Sequence, residues 1–155
     1  MKIRWKPLIV SLIIPLAVGA LAAYLTRDSM EVYGQLNQPP LAPPAIVFPI
    51  VWTILYVLMG ISSYLVFVSQ AGNRTGALTV YAIQLILNFL WPILFFNVQS
   101  YLISFIVLVL LWISVVLMIW QFTKARPVAG YLQIPYLIWV TFAGYLNLMI
   151  YLLNR

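Results

Sequence analysis

The sequence predicts an all-α integral membrane protein, a bundle of five transmembrane helices. Hydrophobic residues make up 65% of the 155 residues and charged residues only 6%, whereas an ordinary soluble domain has about 25% charged residues. The hydrophobic residues are also gathered into five long stretches without charge, each long enough to cross a bilayer core of roughly 30 Å as a helix. Backbone N–H and C=O groups in lipid need partners within the segment, so these stretches are expected to be helical.

The predicted spans cover about residues 7–26, 44–69, 77–97, 101–124 and 128–153. Most connections are short, which makes neighbouring spans antiparallel. The basic residues before the first span would also suit a cleaved signal peptide, but the apolar run of about 19 residues is longer than such a region usually is. An uncleaved first span is therefore expected, and residues 1–155 are predicted to form a single membrane domain.

The first connection, residues 27–43, differs from the others. It is long, contains both acidic residues of the chain, Asp28 and Glu31, and ends in the cluster Pro39-Pro40-Leu41-Ala42-Pro43-Pro44. Long connections in compact proteins are usually lids, binding loops or disordered segments. Because prolines stiffen the backbone, this connection is predicted to be an ordered lid.

The distribution of Lys and Arg predicts the orientation. Arg27 and Arg155 lie on the side of the first connection, and six basic residues lie on the other side, which predicts a cytoplasmic N-terminus, a C-terminus outside and an outward-facing lid. The six are Lys2, Arg4, Lys6, Arg74, Lys124 and Arg126.

Several functions are argued against by what the chain lacks. It contains no Cys and no His, so thiol chemistry, zinc sites and His-ligated haem are not expected, and neither a metal nor a cofactor is predicted. The net charge of +6 is spread as single charges at span ends, which does not suggest nucleic acid. Ion-coupled transport usually needs charged groups within the membrane, and the predicted spans contain no Asp, Glu, Lys or Arg except Lys124 at the end of the fourth.

Aromatic and amide residues lie on common helical faces deep within three spans. Polar side chains in lipid turn inward and bond across helices, so the faces carrying Gln84, Asn88 and Asn147 are expected to meet in the interior. The three faces are Phe48, Trp52, Tyr56, Met59 and Ser63 in the second span; Gln84, Asn88, Trp91 and Phe95 in the third; and Tyr136, Trp139, Ala143, Leu146 and Asn147 in the fifth.

Two interpretations of these faces stay open. The amides and aromatic residues are consistent with ordinary packing between helices. They are equally consistent with a pocket for a large planar apolar ligand, because such sites are mostly apolar with a few placed polar groups. Small residues (Gly19, Ala20, Ala22, Ala23 and Gly60) are expected to serve close helix packing rather than ligand contact.

Four motifs, in order and at matching spacing, resemble the TspO/MBR family of tryptophan-rich sensory proteins and translocator proteins. Together they extend over essentially residues 7–155. They are Pro43-Pro44-x-x-x-Phe48-x-x-Val51-Trp52-Thr53-x-Leu55-Tyr56-x-x-Met59-Gly60, then Gln84-Leu85-x-Leu87-Asn88-x-x-Trp91-Pro92-x-x-Phe95-Phe96, then Leu110-Leu111-Trp112, and Pro135-Tyr136-Leu137-x-Trp139-Val140-x-Phe142-Ala143-x-x-Leu146-Asn147.

The resemblance implies a five-helix bundle in a bacterial plasma membrane, often a homodimer, that binds porphyrins and benzodiazepine-type ligands in a pocket under the first loop. Light-dependent porphyrin breakdown is ascribed to some bacterial members, which would make Trp52 and Trp139 the catalytic residues; facilitated porphyrin transport is a further alternative. Carried over by position, the ligand-binding residues would be Tyr33, Pro43, Phe48, Trp52, Tyr56, Asn88, Trp91, Trp139, Ala143 and Leu146.

The chain departs from the family pattern in two places. Before the double proline the family usually has Lys-Pro-x-Trp, but this chain has Gln38-Pro39-Pro40-Leu41, which removes a cation and an indole from the lid. Leu148 replaces the aromatic residue that belongs to the sterol motif of animal members. Sterol is therefore not predicted, and free-base porphyrin fits better than haem because the usual axial ligands are missing.

Overall fold

The structure is a computed structural model that describes residues 2–155. Throughout that range the chain forms helices joined by turns and short extended segments, and it forms no β-strand. We number the α-helices in chain order: α1 Trp5–Thr26, α2 Met30–Gln35, α3 Val47–Phe67, α4 Arg74–Pro92, α5 Tyr101–Ala125, α6 Pro127–Tyr131 and α7 Ile134–Leu153.

The predicted five-span architecture is confirmed. Five segments of the described chain are long and apolar enough to cross a membrane, and they begin and end within a few residues of the predicted bounds, apart from the extended first one. The segments are Trp5–Gln35, Val47–Phe67, Arg74–Asn97, Tyr101–Ala125 and Pro127–Leu153.

The first connection contains more regular structure than the sequence interpretation expected. A 3-10 turn, Arg27–Ser29, continues from α1 and leads directly into α2. Residues 27–35 contain no proline and can therefore remain helical. The chain becomes extended at Leu36. Pro39 then keeps the helix from resuming, because a proline disfavours helical conformation in the residue before it, here Gln38.

Two prolines explain irregularities in the third and fifth spans. Pro92 has no N–H to donate to the carbonyl of Asn88, and a π-helical turn, Ile93–Asn97, follows it. The fifth span was predicted as one helix but is two, because Pro135 in the first turn of α7 cannot continue the hydrogen bonding of α6. Both deviations position side chains of the interior described below.

Helix α1 packs closely against α3 and is otherwise largely exposed to the membrane. A Cβ atom added to Gly60 would lie 2.8 Å from the Cα atom of Leu12, so glycine is what permits this approach. Only Pro15, Ala22 and Thr26 of α1 are buried. The core of the bundle is instead formed by the inward faces of α3, α4, α5 and α7.

Candidate functional site

The bundle interior contains a group of aromatic side chains, here called the aromatic cluster: Tyr33, Phe48, Trp52, Tyr56, Trp91, Phe95, Phe96, Tyr136 and Trp139. Trp52 on α3 is its centre. The Trp52 ring stacks on Tyr56 at 5.7 Å and 26° and meets the Trp139 ring at 6.4 Å and 90°. Edge-to-face and offset-stacked geometries are those that aromatic pairs favour, so each ring fixes the orientation of its neighbours.

A chain of hydrogen bonds runs beside the aromatic cluster and links three helices. The Tyr56 hydroxyl donates to Asn88 Oδ1 at 2.7 Å, and Asn88 Nδ2 donates to the Tyr136 hydroxyl at 2.7 Å. Tyr136 in turn donates to Gln84 Oε1 at 2.7 Å. Gln84, Asn88 and Tyr136 are all buried, as the sequence predicted for the two amides, because polar groups in a membrane interior seek partners across helices.

The third predicted amide, Asn147, is also buried and joins α7 to two other helices. Its Oδ1 atom accepts hydrogen bonds from Trp91 Nε1 at 2.9 Å and from the Ser104 hydroxyl at 3.1 Å. Its Nδ2 atom donates to the carbonyl of Tyr101 at 2.8 Å. The bond to Trp91 fixes that indole in the aromatic cluster and satisfies a buried N–H donor.

A cavity of about 650 Å³ lies between α1, α3 and α4. This volume is within the range of about 300–1,000 Å³ that is usual for small-molecule sites. Its polar lining residues are few: Tyr56, Asn88 and Thr26 are buried, and Thr53 and Arg27 are exposed. The apolar wall consists of Leu16, Gly19, Ala20, Ala22, Ala23, Met30, Phe48, Pro49, Trp52, Trp91, Pro92 and Phe96.

The first connection lies against the aromatic cluster and is fastened at several points. The Tyr33 ring meets Phe48 edge-on at 5.1 Å, and its hydroxyl donates to the carbonyl of Pro43 at 2.9 Å. Asn37 and Asn154 bond reciprocally: Asn37 N donates to Asn154 Oδ1 at 3.0 Å, and Asn154 Nδ2 donates to the Asn37 carbonyl at 2.9 Å. We name this pair the asparagine latch, because it joins residues 27–43 to the end of the last helix.

Five of the ten ligand-binding residues predicted from the sequence line the cavity. The other five do not, although all of them lie close to the aromatic cluster or within the core. Those lining the cavity are Phe48, Trp52, Tyr56, Asn88 and Trp91, while Tyr33, Pro43, Trp139, Ala143 and Leu146 are outside its wall.

Trp139 lies one layer behind the cavity wall. Its ring contacts Phe48 at 5.9 Å and Trp52 at 6.4 Å, and its Nε1 atom is buried without a hydrogen-bond partner in the described chain. Ala143 and Leu146 are core residues of α7, each 2% exposed. The cavity therefore lies on one side of Trp52 and α7 lies on the other.

Helix α1 supplies a wall of the cavity that the sequence interpretation did not assign. Gly19, Ala20, Ala22 and Ala23 were expected to serve close helix packing, but all four line the cavity. Gly60 makes the expected close helix contact, and so does Gly19, where an added Cβ atom would lie 2.2 Å from a ring carbon of Tyr56. The signal that could have identified this wall is the small size of residues 19, 20, 22 and 23, which leaves room opposite the bulky rings of α3.

The fold and the cavity define the class of protein: a multi-pass integral membrane protein of five spans whose interior carries an aromatic cluster. Comparison of the sequence with known families agrees with this class. A sequence model of the TspO/MBR family matches residues 11–153, and the chain belongs to that family.

Relatives from distant organisms share nearly the full length of the chain. A tryptophan-rich protein TspO of Chlorobaculum tepidum is 40% identical over 144 residues, which is 90% of each chain. A tryptophan-rich sensory protein of Cereibacter sphaeroides is 39% identical over 133 residues, covering 86% of this chain and 80% of the relative. The translocator protein of Bos taurus is 34% identical over 149 residues, covering 92% and 87%.

Proposed function

We propose that this protein is a membrane receptor that binds a large planar apolar molecule of the porphyrin type, and benzodiazepine-type ligands, in the cavity between α1, α3 and α4. The observation that carries the proposal is the cavity itself, an apolar space of about 650 Å³ with indole walls and one pair of polar groups at depth. Flat apolar surfaces gain from stacking on aromatic rings. Family membership supports the same function, since some relatives are named sensory proteins.

The charge on the cavity rim favours a ligand that carries an anionic group. Among the described residues that line the cavity, Arg27 is the only one with a charged side chain at neutral pH. Its guanidinium lies 3.9 Å from the ring centre of Tyr24, which holds it at the exposed rim. It supplies a cation that the lid sequence Gln38-Pro39-Pro40-Leu41 does not, and a porphyrin carboxylate would find its partner there.

Titration of free-base protoporphyrin into the purified protein tests the proposal. Saturable binding with quenching of tryptophan fluorescence is expected, and a benzodiazepine-type ligand should compete. Trp52→Phe should weaken binding because it removes the central ring of the wall. Trp120→Phe is the matched control, since Trp120 is 54% exposed and lies outside the cavity. Equal affinity in wild type and Trp52→Phe would contradict the assignment of the cavity.

A second function, light-dependent breakdown of the bound porphyrin, is favoured by the position of Trp52. Its indole lines the cavity and contacts the rings of Tyr56, Trp91 and Trp139, so it is placed to give an electron to an excited porphyrin. The reduced porphyrin would pass that electron to dioxygen as superoxide, and the Trp52 radical cation would regain one electron from the porphyrin. The net step oxidises the porphyrin by one electron and reduces dioxygen to superoxide, and these two products combine. Trp139 would act only through Trp52. Illumination of the complex tests this: porphyrin absorbance should decay more slowly in Trp52→Phe, whereas equal decay in both proteins would exclude participation of the residue.

We also propose that the N-terminus is cytoplasmic, that the lid faces outward and that the protein forms a homodimer in a bacterial plasma membrane. Arg4 N donates to the Tyr64 hydroxyl at 2.8 Å, so the basic N-terminus lies at the same end as the second connection. The chain has no Cys, so single cysteines at Gly72 and Leu41 allow a clean labelling test. An impermeant thiol reagent should modify intact cells only at Leu41→Cys, and the mass of the solubilised particle reports the dimer.

A further inference from the structure

The wall of the cavity is exposed along one side. On the α4 side it is closed, because Asn88, Trp91 and Phe96 are buried there. In the part of the chain that the structure describes, the exposed lining residues belong to α1, to the turn that follows α1, and to α3. They are Ala20, Ala23, Arg27, Pro49 and Thr53. The cavity therefore opens between α1 and α3.

The contact between α1 and α3 is close at one end and open at the other. A Cβ atom added to Gly60 would lie 2.8 Å from the Cα atom of Leu12, so the helices touch there. Pro49 and Thr53 lie on the same face of α3, two to three turns nearer the first connection, yet both are exposed. Ala20 faces Thr53 at the same height, since the two lie eight and seven residues from that contact on antiparallel helices.

The opening lies within the membrane. Both of its edges belong to segments that are long and apolar enough to span a bilayer. The Thr53 hydroxyl donates to the carbonyl of Pro49 at 2.7 Å, so the polar atoms of this edge are satisfied within α3, and the opposite edge offers methyl groups. Such a border suits contact with lipid rather than water. We name this opening the α1–α3 gap, and its border consists of Ala20, Ala23, Pro49 and Thr53.

The first connection, in contrast, is held by hydrogen bonds. Besides the asparagine latch, the Tyr145 hydroxyl donates to the carbonyl of Pro40 at 2.8 Å, and Gln38 Nε2 donates to the carbonyl of Tyr33 at 2.6 Å. A ligand that entered beneath this connection would have to break such contacts, whereas passage through the α1–α3 gap breaks none of them. Release of the asparagine latch would add a second route.

We propose that the α1–α3 gap is the entrance to the cavity and that the ligand passes through it directly from the bilayer. The inference rests on the proposed function, because it concerns the route of the same ligand. A planar apolar molecule collects in lipid, where its surface is removed from water. Arg27 is exposed and lies one turn beyond Ala23 on the same face of the chain. A ligand with acidic groups along one edge can keep that edge at Arg27 while its apolar plane enters.

Cross-linked variants test the entrance, because the chain has no Cys and an introduced pair is unique. Ala20→Cys/Thr53→Cys, joined by a short bis-maleimide, closes the α1–α3 gap. Asn37→Cys/Asn154→Cys, joined in the same way, is the matched control that fixes the first connection instead. Each protein is reconstituted in lipid vesicles, and quenching of tryptophan fluorescence follows the association and dissociation of free-base protoporphyrin.

Closure of the entrance should lower the association and dissociation rates together, each by about tenfold or more, and leave Kd little changed. The cross-linked control should keep both rates within about twofold of those of wild type. An association rate that is unchanged after closure of the α1–α3 gap would overturn the inference, whatever happens to Kd. Slowing in the control protein alone would overturn it as well.

A nitroxide label at Thr53→Cys gives a second measurement without cross-links. Collisions of the label with dioxygen, which concentrates in lipid, should exceed collisions with a water-soluble nickel complex, and bound porphyrin should reduce them. The control is the same label at Ile138→Cys, since Ile138 is 65% exposed and lies on α7 away from the cavity wall, so porphyrin should have no effect there.

The two failures are distinguishable. Absence of saturable porphyrin binding in wild type would refute the proposed function, whereas the label at Thr53→Cys reports the lipid contact of the gap with or without ligand. Predominant collisions with the nickel complex at that position would show a water-filled gap and would overturn the inference even if porphyrin binds.

Discussion

The contact between Gly19 and Tyr56 provides the sharpest test of the cavity. A Cβ atom added to Gly19 would lie 2.2 Å from a ring carbon of Tyr56, which is far inside van der Waals contact. The Tyr56 ring cannot simply move away, because Trp52 stacks on it at 5.7 Å and Asn88 accepts its hydroxyl hydrogen bond at 2.7 Å. Gly19→Ala must therefore disturb the stacking, the hydrogen bond or the approach of α1.

The magnitude follows from comparison with Gly144→Ala. A Cβ atom at Gly144 would meet nothing within 4 Å, so that variant gains the helix propensity of Ala, about 1 kcal/mol, without a clash. Overpacking usually costs about 1–3 kcal/mol. Relative to Gly144→Ala, Gly19→Ala should be less stable by that amount, and each kcal/mol corresponds to about 2–4 °C in Tm for a chain of this size.

Binding should respond together with stability if Tyr56 is part of the ligand site. We expect Gly19→Ala to raise the Kd for free-base protoporphyrin by about tenfold or more, which is about 1.4 kcal/mol, with Gly144→Ala unchanged. Thermal unfolding in detergent and fluorescence titration measure the two quantities. A Gly19→Ala protein that melts and binds as Gly144→Ala does would refute both the tight contact and the role of the α1 wall.

Three further substitutions address separate parts of the structure. Asn154→Ala breaks the asparagine latch with Asn37, two hydrogen bonds worth about 0.5–1.5 kcal/mol each, so hydrogen exchange in residues 27–43 should accelerate and ligand should dissociate faster. Unaltered exchange would mean that the latch does not hold the first connection in place. Trp91→Phe keeps a ring but loses the hydrogen bond to Asn147, so the free energy of unfolding measured by chemical denaturation should fall by about 0.5–1.5 kcal/mol. An unchanged denaturation midpoint would contradict this. Gly130→Ala would place a Cβ atom 1.8 Å from the Thr123 hydroxyl and should lower Tm by several degrees, but ligand affinity should be unchanged because Gly130 is not part of the cavity wall. A loss of affinity equal to that of Gly19→Ala would argue against a local binding site.

The span positions and the inward faces could be predicted from the sequence, because charge exclusion and helical periodicity act locally. Gln84, Asn88 and Asn147 are buried and bonded across helices as expected, since an amide in lipid has few alternatives. The same reasoning located Phe48 and Trp52 on one inward face. These features depend only on residue type and spacing within one helix.

The location of the cavity could not be predicted in this way, because it depends on which helices pack against each other. The sequence interpretation expected α7 to contribute Ala143 and Leu146, but both lie in the core outside the cavity wall. The wall opposite Trp52 comes instead from Gly19, Ala20 and their neighbours on α1. The apolar residues of α1 surround the helix almost evenly, so its sequence does not indicate which face turns inward.

The partner of Asn37 in the asparagine latch is Asn154, which follows the last membrane span. These two hydrogen bonds to the first connection therefore cannot form until α7 has been synthesised and inserted. Membrane proteins acquire their spans in order during synthesis, and chains tend to fold from the N-terminus as they emerge. Intermediates with four or fewer spans would consequently hold residues 27–43 only by contacts such as that between Tyr33 and Phe48, and attachment of the first connection to the bundle is completed by the final helix.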